Sequence, residues 1–352
     1  MQYRTLGRTG VQVSSLALGT MNFGAFGNVS ETETTSMVRR ALDAGVNLID
    51  TADAYSTGMS EELVGKALKD VDRDSVVLAT KFRLPVGDIT KPGGTKGPDV
   101  MNRQGGSRRW IVKAVEDSLR RLGTDHIDLY QMHRPDPATD IEESLAALTD
   151  LQRAGKILYI GSSTFSAAEM VEAQWTSERR SLARFVTEQP PYSILVRGIE
   201  ADVLPTAQKY GMGVLTWSPL ASGFLSGKYR PGAEAQQSYR DRLAAGRPMP
   251  PANAYDTLKR EAAEKLYTLA QEHGMSLIEM SLAFATSHPG VTSVIIGPRT
   301  LEHLETQLPV GDRALPGELL DRIDEIVAPG NTVKPGDTHA VVPALEKANR
   351  RR

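Results

Sequence analysis

Short runs of apolar residues alternate along the chain with longer stretches in which apolar positions recur at helical spacing. The runs are Leu16 to Thr20, Val46 to Thr51, Val76 to Phe82, Ile127 to His133, Ile157 to Ser163, Phe185 to Gln189, Val214 to Trp217 and Val294 to Gly297. Their near-continuous Val, Ile and Leu content predicts parallel strands covered on both faces. The stretches between them carry helix signals. Ser30 with Glu33 and Ser166 with Glu169 have capping-box spacing, and Asp140 with Glu143 offers a related helix start. Gly123, Gly155 and Gly274 stand where a left-handed residue closes a helix. Ile111, Val115, Leu119 and Leu122 form a one-sided apolar stripe. Eight such strand and helix units predict a closed (β/α)8 barrel of the TIM type; an open doubly wound sheet is the other arrangement that this alternation permits. Ahead of them, Tyr3 to Leu6 and Val11 to Ser14 read as an N-terminal β-hairpin around Gly7-Arg8-Thr9-Gly10.

Closed barrels routinely exceed the usual domain length, so all 352 residues are expected to form one domain, 1–352. Its tail, 329–352, is rich in Pro and Gly and then basic, and is expected to be partly mobile. Two connections are too long for plain turns: 84–106 after the third run and 218–254 after the seventh. Loops of that length in a compact domain are expected to cover a site on one barrel face.

Composition narrows the function. Lys and Arg total 41 and Asp and Glu 43, for a net charge of −2, which gives no electrostatic reason to expect nucleic acid or a membrane as partner. Cysteine is absent, which excludes disulfides, thiolate nucleophiles and Cys-ligated metals. His126, His273, His288, His303 and His339 show no ligand spacing, so no metal is expected. There is no apolar stretch of about 18 residues, and the opening residues lack the basic-then-apolar order of a secretory signal. A cytoplasmic protein is the expectation.

Barrel active sites lie at the C-terminal strand ends, so the informative positions are those where an apolar run turns polar. The second run ends Leu48-Ile49-Asp50-Thr51, the third Ala79-Thr80-Lys81 and the fourth Tyr130-Gln131-Met132-His133. Tyr55 follows Asp50 closely enough for its phenol to turn back over the mouth. Taken singly, Asp50 and Lys81 suit a structural ion pair, His133 a rim histidine and Tyr55 a packing residue. Together they place an acid, an amine, an imidazole and a phenol at one end of the barrel.

The segment Asn47-Leu48-Ile49-Asp50-Thr51-Ala52-Asp53-Ala54-Tyr55, with Ser60-Glu61 and Gly65-Lys66-Ala67-Leu68 behind it, resembles the signature of the aldo-keto reductase superfamily. Ala79-Thr80-Lys81-Phe82 and Asp128-Leu129-Tyr130-Gln131-Met132-His133 resemble it too, in order, from about Tyr3 to about Ala328. The last part of the chain is similar to the bacterial branch that resembles potassium-channel β subunits. The resemblance implies a barrel that binds a nicotinamide cofactor without a Rossmann domain, and no Gly-x-Gly-x-x-Gly lies between a strand and a helix. It implies a catalytic tetrad of Asp50, Tyr55, Lys81 and His133. Tyr55 would donate the proton, Lys81 would favour its phenolate, Asp50 would hold the ammonium, and His133 would orient the carbonyl.

The same resemblance implies the cofactor contacts. Gly19, Thr20, Met21 and Asp50 are among the cofactor-binding positions it implies. In Gly161-Ser162-Ser163-Thr164-Phe165, Ser163 matches a carboxamide-holding serine and Thr164 replaces an asparagine. Gln189 matches a carboxamide-binding glutamine, and Trp217 falls where an aromatic ring stacks on the nicotinamide, although it also suits barrel filling. Ser218, Pro219, Leu220, Ser222, Gly223 and Lys228 resemble a pyrophosphate loop. Gly297 and Arg299 resemble a loop for a 2′-phosphate at a helix N-terminus, followed by His303 and Gln307 at adenosine positions, so NADP(H) is expected. Met21, Phe23, Phe82, Arg134 and the two long loops are expected to wall a pocket for a small aldehyde or ketone. NADPH-dependent reduction of a small-molecule carbonyl is the leading expectation; a cofactor-binding regulatory or sensor subunit with incidental turnover is the alternative.

Overall fold

The structure is a computed structural model, and it describes residues 1–87, 100–230 and 254–339. Eight parallel strands close into a barrel: β3 (Leu16–Gly19), β4 (Leu48–Asp50), β5 (Val77–Phe82), β6 (Ile127–Met132), β7 (Ile157–Ser163), β8 (Phe185–Gln189), β9 (Gly213–Thr216) and β10 (Ser293–Ile296), with β10 pairing to β3. The predicted barrel, rather than the open sheet, is what forms. An antiparallel hairpin precedes it, β1 (Tyr3–Thr5) with β2 (Gln12–Ser14).

Local chemistry explains the elements between strands. The helices Glu31–Asp43 and Ala167–Arg180 each start with the reciprocal Ser–Glu capping box expected of them. A third box, Ser276 with Glu279, starts the helix Leu277–Ser287 and was not anticipated. The helix Arg108–Leu122 buries Ile111, Val115, Leu119 and Leu122 and ends at Gly123, whose φ of 65° carries no β-carbon penalty in glycine.

The hairpin closes the N-terminal end of the barrel. Leu6 and Val13 are fully buried with Ala17, Leu48, Ala79, Leu129 and Leu215, the layer of side chains that fills the barrel interior. Arg4 fastens this plug, donating to the backbone oxygens of Val291 at 2.6 Å and Thr286 at 2.8 Å. A second, larger apolar shell lies between strands and helices. With one end sealed, ligand access is left to the C-terminal strand ends.

Of the long connections, 88–99 and 231–253 lie outside the described residues, as do 340–352 of the tail. Residues 329–339 run back along the barrel. Thr332 bridges to Val196, the Gly330 amide donates to Glu200 Oε2 at 2.9 Å, and the Val333 amide to the Leu195 oxygen at 3.1 Å. No helix among the described residues is long and apolar enough to cross a membrane.

Candidate active site

Parallel register aligns the polar strand ends. Gly19 lies opposite Asp50, Asp50 opposite Ala79, Lys81 opposite Gln131, and Ser163 opposite Gln189. Alternation along β5 turns Lys81 inward and Phe82 outward, where Phe82 stacks on Tyr130 with ring centroids 4.9 Å apart. Phe82 and Phe23 are both fully buried in the shell between strands and helices, so neither walls the mouth. For Phe82 that expectation overlooked the two-residue period of the strand. Met21, by contrast, is 36% exposed at the rim.

The structure brings Asp50, Tyr55, Lys81 and His133 together. Lys81 Nζ donates to Asp50 Oδ2 at 2.5 Å, to the Thr51 oxygen at 2.9 Å and to Tyr55 Oη at 3.2 Å. All three donors of the ammonium are thereby used. The Tyr55 and His133 rings meet edge to face, 5.7 Å apart at 79°. Asp50 Oδ1 accepts from Gln131 Nε2 at 3.0 Å and Gln189 Nε2 at 2.9 Å, and Gln189 also donates to Gln131 Oε1 at 3.0 Å. Gln131 escaped the sequence reading, although a polar side chain at an inward position of a buried strand marks it. This glutamine pair fixes the carboxylate that fixes the ammonium.

Tyr55 stands on a tight 3-10 turn, followed by Ser56, Thr57 and Gly58 with φ of 48°, 60° and 94°. Two successive non-glycine residues in the left-handed region are strained. Ser56 compensates by donating to the Phe23 oxygen at 2.8 Å and accepting from the Phe26 amide at 3.1 Å.

Electrostatics assign protonation states. Burial pushes the Tyr55 phenol above its usual value, and the nearby Lys81 ammonium lowers it without reversing that direction. Lys81 thus acts in the expected direction, toward the phenolate, while burial keeps the hydroxyl protonated and able to donate. Burial depresses Lys81, but Asp50 and Tyr55 outweigh it and hold the ammonium charged. Burial and then Lys81, Arg134 and Arg83 hold His133 well below the ordinary imidazole range, so it is neutral.

Around the next strand ends, Ser163 Oγ donates to the Gln189 oxygen at 2.8 Å, and Thr164, with φ of 59°, accepts from Arg134 Nη1 at 2.8 Å. Trp217 Nε1 donates to the Gln189 oxygen at 3.2 Å. The indole is approached by the Arg134 guanidinium at 5.5 Å and by the His339 ring at 5.0 Å. Behind this turn lies Glu188, fully buried, which accepts from Ser162 Oγ at 2.5 Å and the Phe165 amide at 3.1 Å. Burial pushes its carboxyl up to about 7.

That shift carries a sign. A carboxyl whose folded value is raised favours the protonated fold, so its contribution is intact below the ordinary glutamate range and is lost as pH rises toward 7. At 1.36 kcal/mol per unit, the loss reaches about 3 kcal/mol above pH 7. Glu188→Gln cannot ionise. Its urea-unfolding stability relative to wild type is expected to be higher at pH 8 than at pH 5 by a difference of that order. Equal differences at the two pH values would reject the assignment.

After β9, Ser218, Ala221, Ser222 and Gly223 have φ of 59°, 48°, 57° and 91°. Within this turn the Ala221 amide donates to the Ser218 backbone oxygen at 2.9 Å, the Ser222 amide to Ser218 Oγ at 3.2 Å and the Gly223 amide to the Leu220 oxygen at 2.8 Å. The Lys228 side chain lies on Gly223 so closely that a β-carbon there would fall 2.4 Å from Nζ. Beyond β10, Gly297 accepts from Asn22 Nδ2 at 3.0 Å. Gln307 is buried, and His303 is lowered by burial and by both Arg299 and Lys228, which places an imidazole and two cationic side chains in one patch. The helix that follows, Leu301–Gln307, has only seven residues, so the case for an anion here rests on these side chains. At the first strand, a β-carbon on Gly19 would fall 2.6 Å from Ile295 Cγ2, and Thr20 donates to the Asp50 oxygen at 3.2 Å.

Residues 15–328 match the pattern described as the aldo/keto reductase family. The chain belongs to that family. The uncharacterized oxidoreductase YrpG of Bacillus subtilis is 39% identical, over 93% of this chain and 96% of its own. A probable voltage-gated potassium channel subunit beta of Oryza sativa is 35% identical over 93% and 97%. A versiconal hemiacetal acetate reductase of Aspergillus parasiticus is 32% identical over 96% and 100%. Membership places this aldo/keto reductase among oxidoreductases that use nicotinamide nucleotides. The residues at the mouth fit such a group: a flat indole, a loop of left-handed residues, and a patch built from Lys228, Arg299 and His303.

Proposed function

We propose that the protein reduces an aldehyde or ketone to an alcohol with NADPH. When bound, the nicotinamide supplies a hydride to the carbonyl carbon. The observation that carries this reading is the phenol of Tyr55 held by Lys81 Nζ at 3.2 Å beside a neutral imidazole.

Tyr55 transfers its hydroxyl proton to the carbonyl oxygen as negative charge develops there, so the product is a neutral alcohol and the phenolate is left on the protein. Lys81 stabilises that phenolate, and Asp50 keeps Lys81 charged and aimed. Neutral His133 orients the carbonyl oxygen by hydrogen bonding. Gln189, with its amide nitrogen committed to Asp50 and Gln131, has its amide oxygen left for a carboxamide N–H. Thr164 and Ser163 lie beside it. Trp217 would lie against the nicotinamide, the loop from Ser218 to Gly223 and Lys228 would hold the pyrophosphate, and Arg299 with His303 would hold the 2′-phosphate that makes the cofactor NADPH.

An aldehyde panel followed by loss of reduced-nicotinamide absorbance tests this reading. Turnover is expected with NADPH, and Arg299→Ala is expected to weaken NADPH by about 10-fold or more while leaving NADH unchanged. Failure to oxidise either nucleotide with any aldehyde would sink the reductase. The rice relative's name favours a second reading, a cofactor-holding regulatory subunit. Stable recovery of a partner protein together with negligible turnover would support that reading instead.

A further inference from the structure

Arg83 is the second residue past Lys81, at the mouth end of β5. Its φ is 99°, a conformation that glycine accepts freely and an arginine side chain resists. The Gly105 amide clamps it there, donating to the Arg83 oxygen at 2.9 Å. The half-buried guanidinium has its Nε buried without a hydrogen-bond partner, and among the described residues Arg83 makes no ion pair. A buried donor left unmatched costs stability unless a ligand supplies the acceptor.

Its surroundings say what that acceptor is. Arg83 acts electrostatically on His133, and so do Lys81 and Arg134. Asp50, the carboxylate bonded to Lys81, is also committed to Gln131 and Gln189. Arg134 is committed to the Thr164 hydroxyl and the His133 oxygen. Asp136, the acid that acts on Arg83, is engaged by the Gly106 amide at 2.7 Å, the Thr139 hydroxyl at 2.8 Å and the Ala138 amide at 3.2 Å. Among the described residues Lys81, Arg83 and Arg134 thus outnumber Asp50 and Asp136 here, and Arg83 has a buried Nε with bonding capacity to spare. It follows β5 directly, and its charge reaches His133, which places it beside the proton-donating machinery.

We propose that the carbonyl substrate carries an anionic group, a carboxylate or a phosphate, and that Arg83 selects it. This rests on the reductase reading above. It adds a strained, otherwise unpaired arginine as the determinant of substrate class. A guanidinium offers paired N–H donors that match either oxyanion. The anion and the reacting carbonyl are then held at once, which fixes the carbonyl toward Tyr55 and His133.

Matched substrates test it. 4-Carboxybenzaldehyde and methyl 4-formylbenzoate differ in charge and share the reacting group; glyceraldehyde 3-phosphate and glyceraldehyde make the same comparison for phosphate. The expected result is a higher kcat/KM for the charged member of at least one pair, lost with added salt. The better pair identifies the anion. Arg83→Gln keeps a β-carbon in the strained backbone and removes the charge. It is expected to lower kcat/KM for the charged aldehyde by about 10- to 100-fold, through KM, and to leave the neutral partner unchanged. Equal kcat/KM within both pairs, or an equal fall for charged and neutral members in Arg83→Gln, would overturn the proposal while leaving the reductase standing. Binding is read separately by tryptophan quenching with 4-(hydroxymethyl)benzoate and with glycerol 3-phosphate. Quenching by one of them in wild type and its loss in Arg83→Gln support the anion site even if no aldehyde turns over. Quenching by neither, or unchanged quenching in the variant, counts against it.

Discussion

Tyr55→Phe is expected to lower kcat for carbonyl reduction by about 100-fold or more, the range general-acid catalysis contributes. The substitution removes one oxygen and little else. Phenylalanine keeps the edge contact with His133, and Lys81 retains Asp50 at 2.5 Å and the Thr51 oxygen at 2.9 Å. The unfolding midpoint and nicotinamide-nucleotide affinity should therefore stay close to wild type, which separates a chemical role from a structural one. Direction is also set by the raised phenol: the proton is present through neutral pH, so wild-type reduction should hold level with rising pH and decline only above the ordinary tyrosine value of about 10. Stopped-flow single turnover with a reactive aldehyde checks both points. Turnover of the variant near the wild-type rate would remove Tyr55 from the mechanism.

The barrel was legible because its determinants are local. Ser30 with Glu33 and Gly123 act within one turn of their own helices, and a run such as Ile157 to Ser163 becomes a strand almost to the residue. The polar strand ends were legible for a related reason: once strands are parallel and in register, residues at their C-terminal ends must meet. What stayed hidden depends on distance in sequence or on backbone strain. His339 reaches Trp217 only because the segment from Ala328 is pinned along Arg197, whose guanidinium holds the Val327 oxygen at 2.6 Å. Arg83 reads as an ordinary charged residue until its φ is seen. Phe82 is an avoidable error, since Lys81 pointing inward requires its neighbour to point outward. That burial raises the Tyr55 phenol despite Lys81 was not legible either, because desolvation depends on the closed barrel around the ring and not on the neighbouring charge alone.

Lys81 and Asp50 are expected to give opposite answers for stability and for catalysis when replaced singly and together. Both side chains are almost fully buried, 0% and 3% exposed. Removing one partner of such a pair leaves a charge without its counterion, which costs about 3–5 kcal/mol, whereas removing both costs less. Lys81→Met leaves Asp50 with only the glutamine amides, and Asp50→Asn leaves an ammonium with neutral partners. The double variant should be more stable to urea than the sum of the single losses predicts, with a coupling of about 3 kcal/mol. Activity should show no such recovery. A phenol can lose its proton to the developing alkoxide only with positive charge beside it, so all variants lacking Lys81 should remain at least about 100-fold slow. Lys81→Met should also raise the Tyr55 phenol further, since the one cation bonded to it is gone. Recovery of turnover in the double variant would mean that the pair serves the fold alone, and that proton transfer to the carbonyl oxygen comes from another group at the mouth.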